Sequence, residues 1–161
     1  MKTLINNFIR QFKEIQDGQV WLNVSYKKKL DLLNENNFFS RPIPDLHSVA
    51  ELISHLTFWR QEAILKIKTR KGLLTDESEE NWLTIDQLKK FGWKKIKTDY
   101  DNSLTEIINL LQQKDDSFLN ETYYDNDYKN YYKYFFLIEG MLHHDIYHLG
   151  QIGMLTKLLK K

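Results

Sequence analysis

The sequence contains no cysteine. This absence excludes a disulfide framework, a cysteine nucleophile and every zinc site that uses thiolate ligands. If the chain binds a metal ion, nitrogen and oxygen atoms must therefore supply the ligands. Any thiol in its chemistry would have to come from a substrate.

Proline is scarce, and neither charge is in excess. The two prolines, Pro42 and Pro44, share one short connector, and no Gly-, Pro- or Ser-rich segment divides the chain. We therefore expect residues 1–161 to form a single domain. Because 23 basic residues nearly balance 22 acidic ones, nucleic acid is not an expected partner. Charged residues interrupt the apolar pattern of the first 18 positions, so we expect no signal peptide, no membrane partner and a cytoplasmic location.

Apolar residues recur at helical spacing along most of the chain. Segments 71–81 and 112–130 lack this periodicity and are predicted to be a loop and a long connection. Asp45 and Ser48 are plausible N-caps of the helix that contains His55, Thr84 is a predicted N-cap of the next long helix, and Gly92 is a possible irregularity. No strand-like alternation persists, so the predicted fold class is all-α, most simply a four-helix bundle with a long crossover connection. The predicted helical stretches are 4–15, 20–34, 45–69, 84–111 and 130–159.

Helical geometry separates the five histidines. At about 100° per residue, His144 and His148 lie one turn apart on the apolar face of the last helix, where both can reach one ion. His55, at the edge of the apolar stripe of its own helix, is the candidate third ligand. Alternatively, the pair is hydrogen-bonded within the core, but two unpartnered imidazoles there would each cost about 1–3 kcal/mol. His47 and His143 are not expected to reach the ion. The apolar face is predicted to centre on Leu137, Met141, Ile152, Leu155 and Leu159.

Six further residues could orient a ligand or line the pocket. Two glutamates lie one or two turns from His55, and a glutamine lies one turn from His148. An aspartate and a tyrosine flank the histidine pair, and a tryptophan shares the stripe of His55. The carboxylates are also candidate bases for a hydrolytic reaction. These six residues are Glu51, Trp59, Glu62, Asp145, Tyr147 and Gln151.

Two segments, 47–60 (HSVAELISHLTFWR) and 144–152 (HDIYHLGQI), together strongly resemble the DinB/YfiT-like superfamily. Their order and separation agree with that family, as does the chain length. The resemblance implies an up-down-down-up four-helix bundle with a three-histidine site for zinc or nickel, formed here by His55, His144 and His148. The family includes bacterial thiol transferases and isomerases that use bacillithiol or mycothiol. Several members are dimers, so a homodimer is expected.

Three function classes follow from these observations. The first is a metal-dependent transferase that joins a low-molecular-weight thiol to an electrophilic acceptor, because a bound ion lowers the pKa of a coordinated thiol. The second is a metal-dependent hydrolase, in which the ion activates water. The third is a metal-binding stress-response protein without catalytic activity. An interaction module in which the motif residues only pack stays open beside these three. A clear fourth protein ligand would favour the third class, since structural zinc sites are usually closed by four ligands.

Overall fold

The computed structural model of the protein describes residues 1–160. Most of these residues are helical, as predicted, and they share one hydrophobic core. Within residues 1–160, no helix is both long and apolar enough to cross a membrane. The helices are α1 (Thr3–Gln16), α2 (Tyr26–Leu30), α3 (Glu35–Phe39), α4 (Val49–Thr69), α5 (Ile85–Phe91), α6 (Trp93–Gln112) and α7 (Tyr134–Leu158).

The four long helices α1, α4, α6 and α7 build the core. Helix α4 packs against both α6 and α7, and α1 packs against the same two helices. Large aromatic side chains fill the space between them, and Tyr26, Tyr100 and Tyr134 are almost fully buried. Each tyrosine hydroxyl therefore needs a partner inside the protein. Tyr134, for example, donates to the main-chain oxygen of Lys66 on α4 at 2.7 Å.

Two helix starts follow the predicted capping chemistry. Ser48 caps α4, and its hydroxyl accepts a hydrogen bond from the main-chain nitrogen of Glu51 at 3.3 Å. Thr84 caps α5 in the same way through Gln87. In both places the third helical residue also bonds back to the cap, which completes a capping box. The cap at Ser48 fixes where α4 begins and hence which side of it faces α7.

The prediction of a single helix over residues 20–34 is wrong. The chain instead forms two short helices, α2 and α3, whose starts are capped by Ser25 and Asn34. Asn23 has a φ of 54°, a left-handed conformation that cannot lie inside an α-helix. Polar cap residues within the apolar pattern therefore divide the segment. The irregularity predicted at Gly92 is a complete break, because this glycine has a φ of 79° and separates α5 from α6.

The long connection before α7 contains a β-hairpin that the sequence did not reveal. Strands β1 (Thr122–Asp125) and β2 (Asn130–Lys133) pair antiparallel, so the mostly helical fold also contains one small two-stranded sheet. Each strand has only four residues, too few for alternation to be recognised against a helical background. The carboxylate of Asp125 accepts hydrogen bonds from the main-chain nitrogens of Asp127 and Tyr128, and these bonds shape the turn. Helix α7 consequently starts at Tyr134 rather than at Asn130.

A buried ion pair joins α4 to α7. The Arg60 guanidinium donates to the Asp145 carboxylate at 2.8 Å and to the Tyr100 hydroxyl on α6 at 3.1 Å. Tyr26 on α2 donates to the main-chain oxygen of Asp145 at 2.6 Å. Both side chains of the ion pair are only 3% exposed. The network therefore connects four helices in the interior, directly beside His144.

We expect Arg60→Ala to lower the free energy of unfolding by about 3–5 kcal/mol, because it leaves the Asp145 carboxylate buried without its partner. Urea denaturation followed by circular dichroism measures the change. The matched control is Arg10→Ala, which removes an exposed ion pair with Glu14 and should cost less than about 1 kcal/mol. Equal losses for the two variants would contradict the role given to the buried pair.

Candidate metal centre

Helices α4 and α7 bring three imidazoles together. His55 is on α4, whereas His144 and His148 lie one turn apart on α7. The Nε2 atom of His144 is 3.0 Å from Nε2 of His55 and 2.9 Å from Nε2 of His148. All three nitrogens lie within 4.8 Å of one another. These are the three histidines predicted from helical phase.

The tautomer of His55 is set by Asn81, a residue that the sequence analysis did not identify. The Oδ1 atom of Asn81 is 2.7 Å from Nδ1 of His55. The amide nitrogen of Asn81 donates to the main-chain oxygen of Asp76 at 2.9 Å, which fixes the orientation of the amide. Since Oδ1 can only accept, Nδ1 of His55 carries the proton. The Nε2 lone pair therefore faces the other two rings.

His148 is held in the same tautomer by Gln151. The Oε1 atom of Gln151 is 2.6 Å from Nδ1 of His148. With Nδ1 protonated, Nε2 of His148 also presents a lone pair. Gln151 is one of the six residues that the sequence analysis named as able to orient a ligand or line the pocket, and the structure places it against His148.

The three converging nitrogens fit a divalent metal ion. His55 and His148 both present lone pairs, so only His144 could place a hydrogen between the rings. One hydrogen on His144 cannot satisfy both of its close Nε2···Nε2 contacts. In at least one contact two nitrogen lone pairs would face each other and repel. A cation among the three nitrogens removes that repulsion. In a tetrahedral zinc site with bonds of about 2.0–2.1 Å, the nitrogens would be about 3.3–3.4 Å apart, so a small outward shift is enough.

The protonation of the cluster also suits metal binding. Burial, together with the nearby His148, lowers the pKa of His55 to about 4. Burial and the same neighbour lower the pKa of His144 to about 3. The pKa of His148 is lowered as well, mainly by burial. All three imidazoles are therefore neutral near pH 7, the form that binds metal ions.

The comparison with protein-family models matched the DinB superfamily over residues 26–152. The match covers most of the chain, including all three histidines. The chain belongs to the DinB superfamily. Neither the curated proteins nor the solved structures gave a match.

In this DinB chain, Trp82 is a further part of the centre that the sequence analysis missed. Its ring stacks on His55 with centroids 4.0 Å apart, and the ring of His47 stacks on its other side at 3.9 Å. Trp82 and Asn81 belong to a short 3₁₀ helix, Glu79–Trp82, that follows an aperiodic loop. No periodicity could have revealed these contacts, because they depend on how the loop folds back over α4.

The remaining predicted residues divide into two groups. Trp59 lies edge-on to His55, and Tyr147 lies edge-on to His148, with ring centroids 6.4 and 5.0 Å apart. The three predicted carboxylates instead have partners away from the imidazoles. Within residues 1–160, none of them hydrogen-bonds to a ligand histidine. Glu51 pairs with Arg41, Glu62 with Lys66, and Asp145 with Arg60.

The buried face of α7 is rotated from the predicted one. Met141, Ile152 and Leu155 of the predicted face are buried, as is His148, but Leu137 and Leu159 are only partly covered, and His144 lies at the edge of the core. The reason is that α7 is apolar on nearly all sides, so its sequence gives no sharp phase. The buried side of the helix centres on Ile138, Leu142, Asp145, Leu149 and Ile152.

Two cavities meet the three histidines from different sides. One, of about 300 Å³, lies between α4, α7 and the hairpin and is bordered by His55 and His144. Its walls are largely aromatic and include Trp59, Tyr123 and Phe136. The other, of about 570 Å³, opens beside Tyr147 and also reaches His148. A small molecule could thus approach a bound ion through either opening.

We expect alanine at His55, His144 or His148 to weaken metal binding by more than about 100-fold, because each variant retains only two ligands. Elemental mass spectrometry of each purified variant measures its metal content. His143 is exposed on α7, and His47 is separated from His55 by Trp82. Alanine at either position should leave one ion per chain. Metal loss in His143→Ala with retention in His148→Ala would show that the site is assigned to the wrong histidines.

The two residues that hydrogen-bond to the histidines should affect metal affinity less than the histidines themselves. Asn81→Leu and Gln151→Leu each remove a carbonyl acceptor that holds an imidazole in its binding tautomer, and each should weaken metal affinity by about 10–100-fold. Competition with a chelator of known affinity measures the change. Affinities equal to that of the unmodified protein would contradict the tautomer assignment.

Proposed function

We propose that the protein is a metal-dependent transferase that transfers a low-molecular-weight thiol to an electrophilic acceptor. The observation that carries this proposal is an open site: three neutral imidazoles converge beside two cavities. Within residues 1–160, the candidate metal group consists of these three residues alone. A closed structural site normally has four protein ligands, so one position would remain for a substrate.

A zinc or nickel ion would be held by His55, His144 and His148. The bound ion would lower the pKa of a coordinated thiol, so that the thiolate exists near neutral pH. The sulfur then forms a bond to the acceptor, the bond to the leaving group breaks, and the thiol proton ends on the leaving group or in water. Because the chain has no cysteine, the reacting sulfur belongs to the substrate.

The surrounding side chains suit an acceptor with apolar parts. Trp59, Tyr123 and Phe136 form much of the wall of the smaller cavity. These rings would exclude water from the acceptor and position it beside the imidazoles. Deeper in the same cavity, the Lys66 ammonium is bound by the Asp125 carboxylate at 2.9 Å. This ion pair places two opposite charges at a fixed position in the wall, where they can orient a substrate.

The positions of the carboxylates favour thiol transfer over hydrolysis. Activating water calls for the removal of a proton from a group whose free pKa is near 15.7, whereas a free thiol has a pKa near 8.5. A hydrolase would therefore benefit more from a neighbouring base. Of the three candidate bases from the sequence, Glu51 and Asp145 pair with Arg41 and Arg60. Glu62 lies 3.5 Å from Lys66 and accepts a hydrogen bond from the main-chain nitrogen of Leu73 rather than contacting the imidazoles.

Two wider features complete the proposal. We place the four long helices in the up-down-down-up bundle that the family resemblance implies. We also place the protein in the cytoplasm, where low-molecular-weight thiols are kept reduced. A non-catalytic role in metal binding is the alternative, and it predicts a metal-loaded protein without transfer activity.

We expect the metal-loaded protein to accelerate the reaction of bacillithiol, mycothiol or cysteine with a chromogenic aryl halide, and the metal-free protein not to do so. At pH 7, full ionisation of a thiol with a pKa near 8.5 would by itself raise its reactivity about 30-fold. The release of the chromophore measures the rate. His143→Ala serves as the matched control for His144→Ala, since only the latter should abolish the acceleration. Equal rates with and without metal would remove the transferase proposal, and activity on esters or amides alone would favour the hydrolase.

A further inference from the structure

The smaller cavity beside the histidines carries an excess of negative charge. Three carboxylates, those of Asp76, Asp125 and Asp127, lie on its wall. Among the described residues of that wall, Lys66 is the only positively charged one, and Asp125 binds it at 2.9 Å. The carboxylates of Asp76 and Asp127 form no ion pair with any side chain of residues 1–160. The protein therefore leaves two negative charges in this cavity without a counter-charge.

The two unpaired aspartates are held close to each other. The main-chain nitrogen of Asp76 donates to the Asp127 carboxylate at 3.0 Å. The main-chain oxygen of Asp76 accepts a hydrogen bond from the amide of Asn81, the residue that orients His55. Burial, together with the charge of Asp127, raises the pKa of Asp76. A positive charge bound between the two carboxylates would remove their repulsion.

Asp76 also lies where the two cavities meet. Besides His55 and His144, it is the only residue in the described part of the chain that lines both cavities. Its side chain is exposed rather than packed into the core. A ligand bound by Asp76 would therefore share the space in front of the imidazoles that hold the metal ion.

Aromatic rings form much of the same wall. Trp59, Tyr123, Tyr128 and Phe136 all border the smaller cavity. The faces of such rings are partly negative and attract organic cations, those of tryptophan most strongly. The ammonium of Lys66 already uses this attraction, since it lies 5.9 Å from the ring centre of Trp59 and 5.4 Å from that of Tyr123. The rings and the unpaired carboxylates thus favour the same kind of ligand.

The arrangement suits an organic cation better than a metal ion. Within residues 1–160, the three histidines are the only group of side chains that converge closely enough to hold a metal ion. The three carboxylates of the cavity are spread along its wall instead. A volume of about 300 Å³ matches a small organic ligand. Enclosure by aromatic rings is the usual way in which proteins recognise quaternary ammonium groups.

We propose that the smaller cavity binds a positively charged nitrogen of a substrate, with Asp76 and Asp127 as its counter-charge and the aromatic rings around it. That substrate is the electrophilic acceptor, because the thiol sulfur would be held by the metal ion. A neutral or anionic acceptor would leave the two carboxylates uncompensated and would bind less well. Only the assignment to the acceptor rests on the proposed transferase function. The charge preference belongs to the cavity itself.

A matched pair of probes tests the charge preference. Choline and its carbon analogue, in which a tert-butyl group replaces the trimethylammonium group, have the same shape but differ in charge. The choline nitrogen has no lone pair that could bind the metal ion. Choline should bind the zinc-loaded protein at least about 10-fold more tightly than the analogue, because a desolvated cation on an aromatic face can contribute that much. Equal affinities for the two probes would overturn the proposal.

NMR titration of the zinc-loaded protein measures both affinities and locates the ligand. Of the two cavities, Trp59 borders only the smaller one, whereas Trp82 borders only the larger one. Choline should therefore shift the indole signal of Trp59 more than that of Trp82. A shift of the Trp82 signal alone would place the cation in the larger cavity and overturn the proposal.

Asp76→Asn should lower the affinity for choline by at least about 5-fold, because it removes a charge and keeps the shape. The affinity for the uncharged analogue should not change. The hydrogen bonds from Asp76 to Asp127 and Asn81 use its main-chain atoms, so the variant should fold, and circular dichroism checks this. Glu77→Gln removes the same charge from an exposed neighbour that lines neither cavity. An Asp76→Asn protein that binds choline as tightly as the Glu77→Gln protein would overturn the proposal.

Two alkyl bromides test whether the cation belongs to the acceptor. One ends in a trimethylammonium group, and the other is its tert-butyl analogue. In both reactions the thiolate sulfur bonds to the carbon that bromide leaves, and the thiol proton passes to water. Relative to the uncatalysed rates, the protein should accelerate the charged bromide at least about 10-fold more, and Asp76→Asn should reduce this difference. Equal acceleration of both bromides would overturn the assignment to the acceptor. If neither reaction is accelerated, the transferase proposal fails, whereas the choline titration still decides the charge preference.

Discussion

The geometry of the histidine cluster depends on the buried ion pair between Arg60 and Asp145. Asp145 directly follows His144 on α7, and Arg60 lies about one and a half turns after His55 on α4. A contact of 2.8 Å between these side chains fixes how α4 and α7 lie against each other. Desolvating two charges cancels much of their attraction, so such a pair adds less to stability than to the choice of one arrangement. Here that arrangement is the one in which three imidazoles meet.

The hydrogen-bond acceptors behind the imidazoles determine that the site attracts a cation. Asn81 and Gln151 hold protons on the Nδ1 atoms of His55 and His148 and turn lone pairs toward the centre. Burial keeps the rings neutral, so the centre is rich in lone pairs and poor in protons. A centre of this kind attracts a cation, whereas a buried hydrogen-bond network would place a hydrogen in each contact. The two acceptors come from the 3₁₀ helix Glu79–Trp82 and from α7, so the site depends on more than its two supporting helices.

The sequence predicted which three histidines come together, because helical spacing relates His144 to His148 and His55 lies at the edge of the apolar stripe of its own helix. It also predicted Gln151, which lies on the same side of α7, and the caps at Ser48 and Thr84. Asn81 could not be predicted, since its contact with His55 depends on the path of a loop. The hairpin was missed because its strands are shorter than the window in which alternation can be recognised.

Other errors have equally local causes. The run from Val20 to Asn34 has apolar residues at helical intervals, but Ser25 and Asn34 act as N-caps within it, so that only Tyr26–Leu30 is helical and the next helix begins at Glu35. For α7, apolar residues on nearly every side hid the true buried face. Sequence patterns were thus most reliable where one face of a helix differs clearly from the other.

X-ray absorption spectroscopy of the zinc-loaded protein tests the open three-histidine site most directly. The account predicts three imidazole nitrogens at about 2.0–2.1 Å and a fourth, exchangeable ligand. Adding the thiol substrate should introduce one sulfur at about 2.3 Å, and the protein has no cysteine that could supply it. Four protein ligands that the thiol leaves unchanged, or fewer than three imidazoles, would contradict the account.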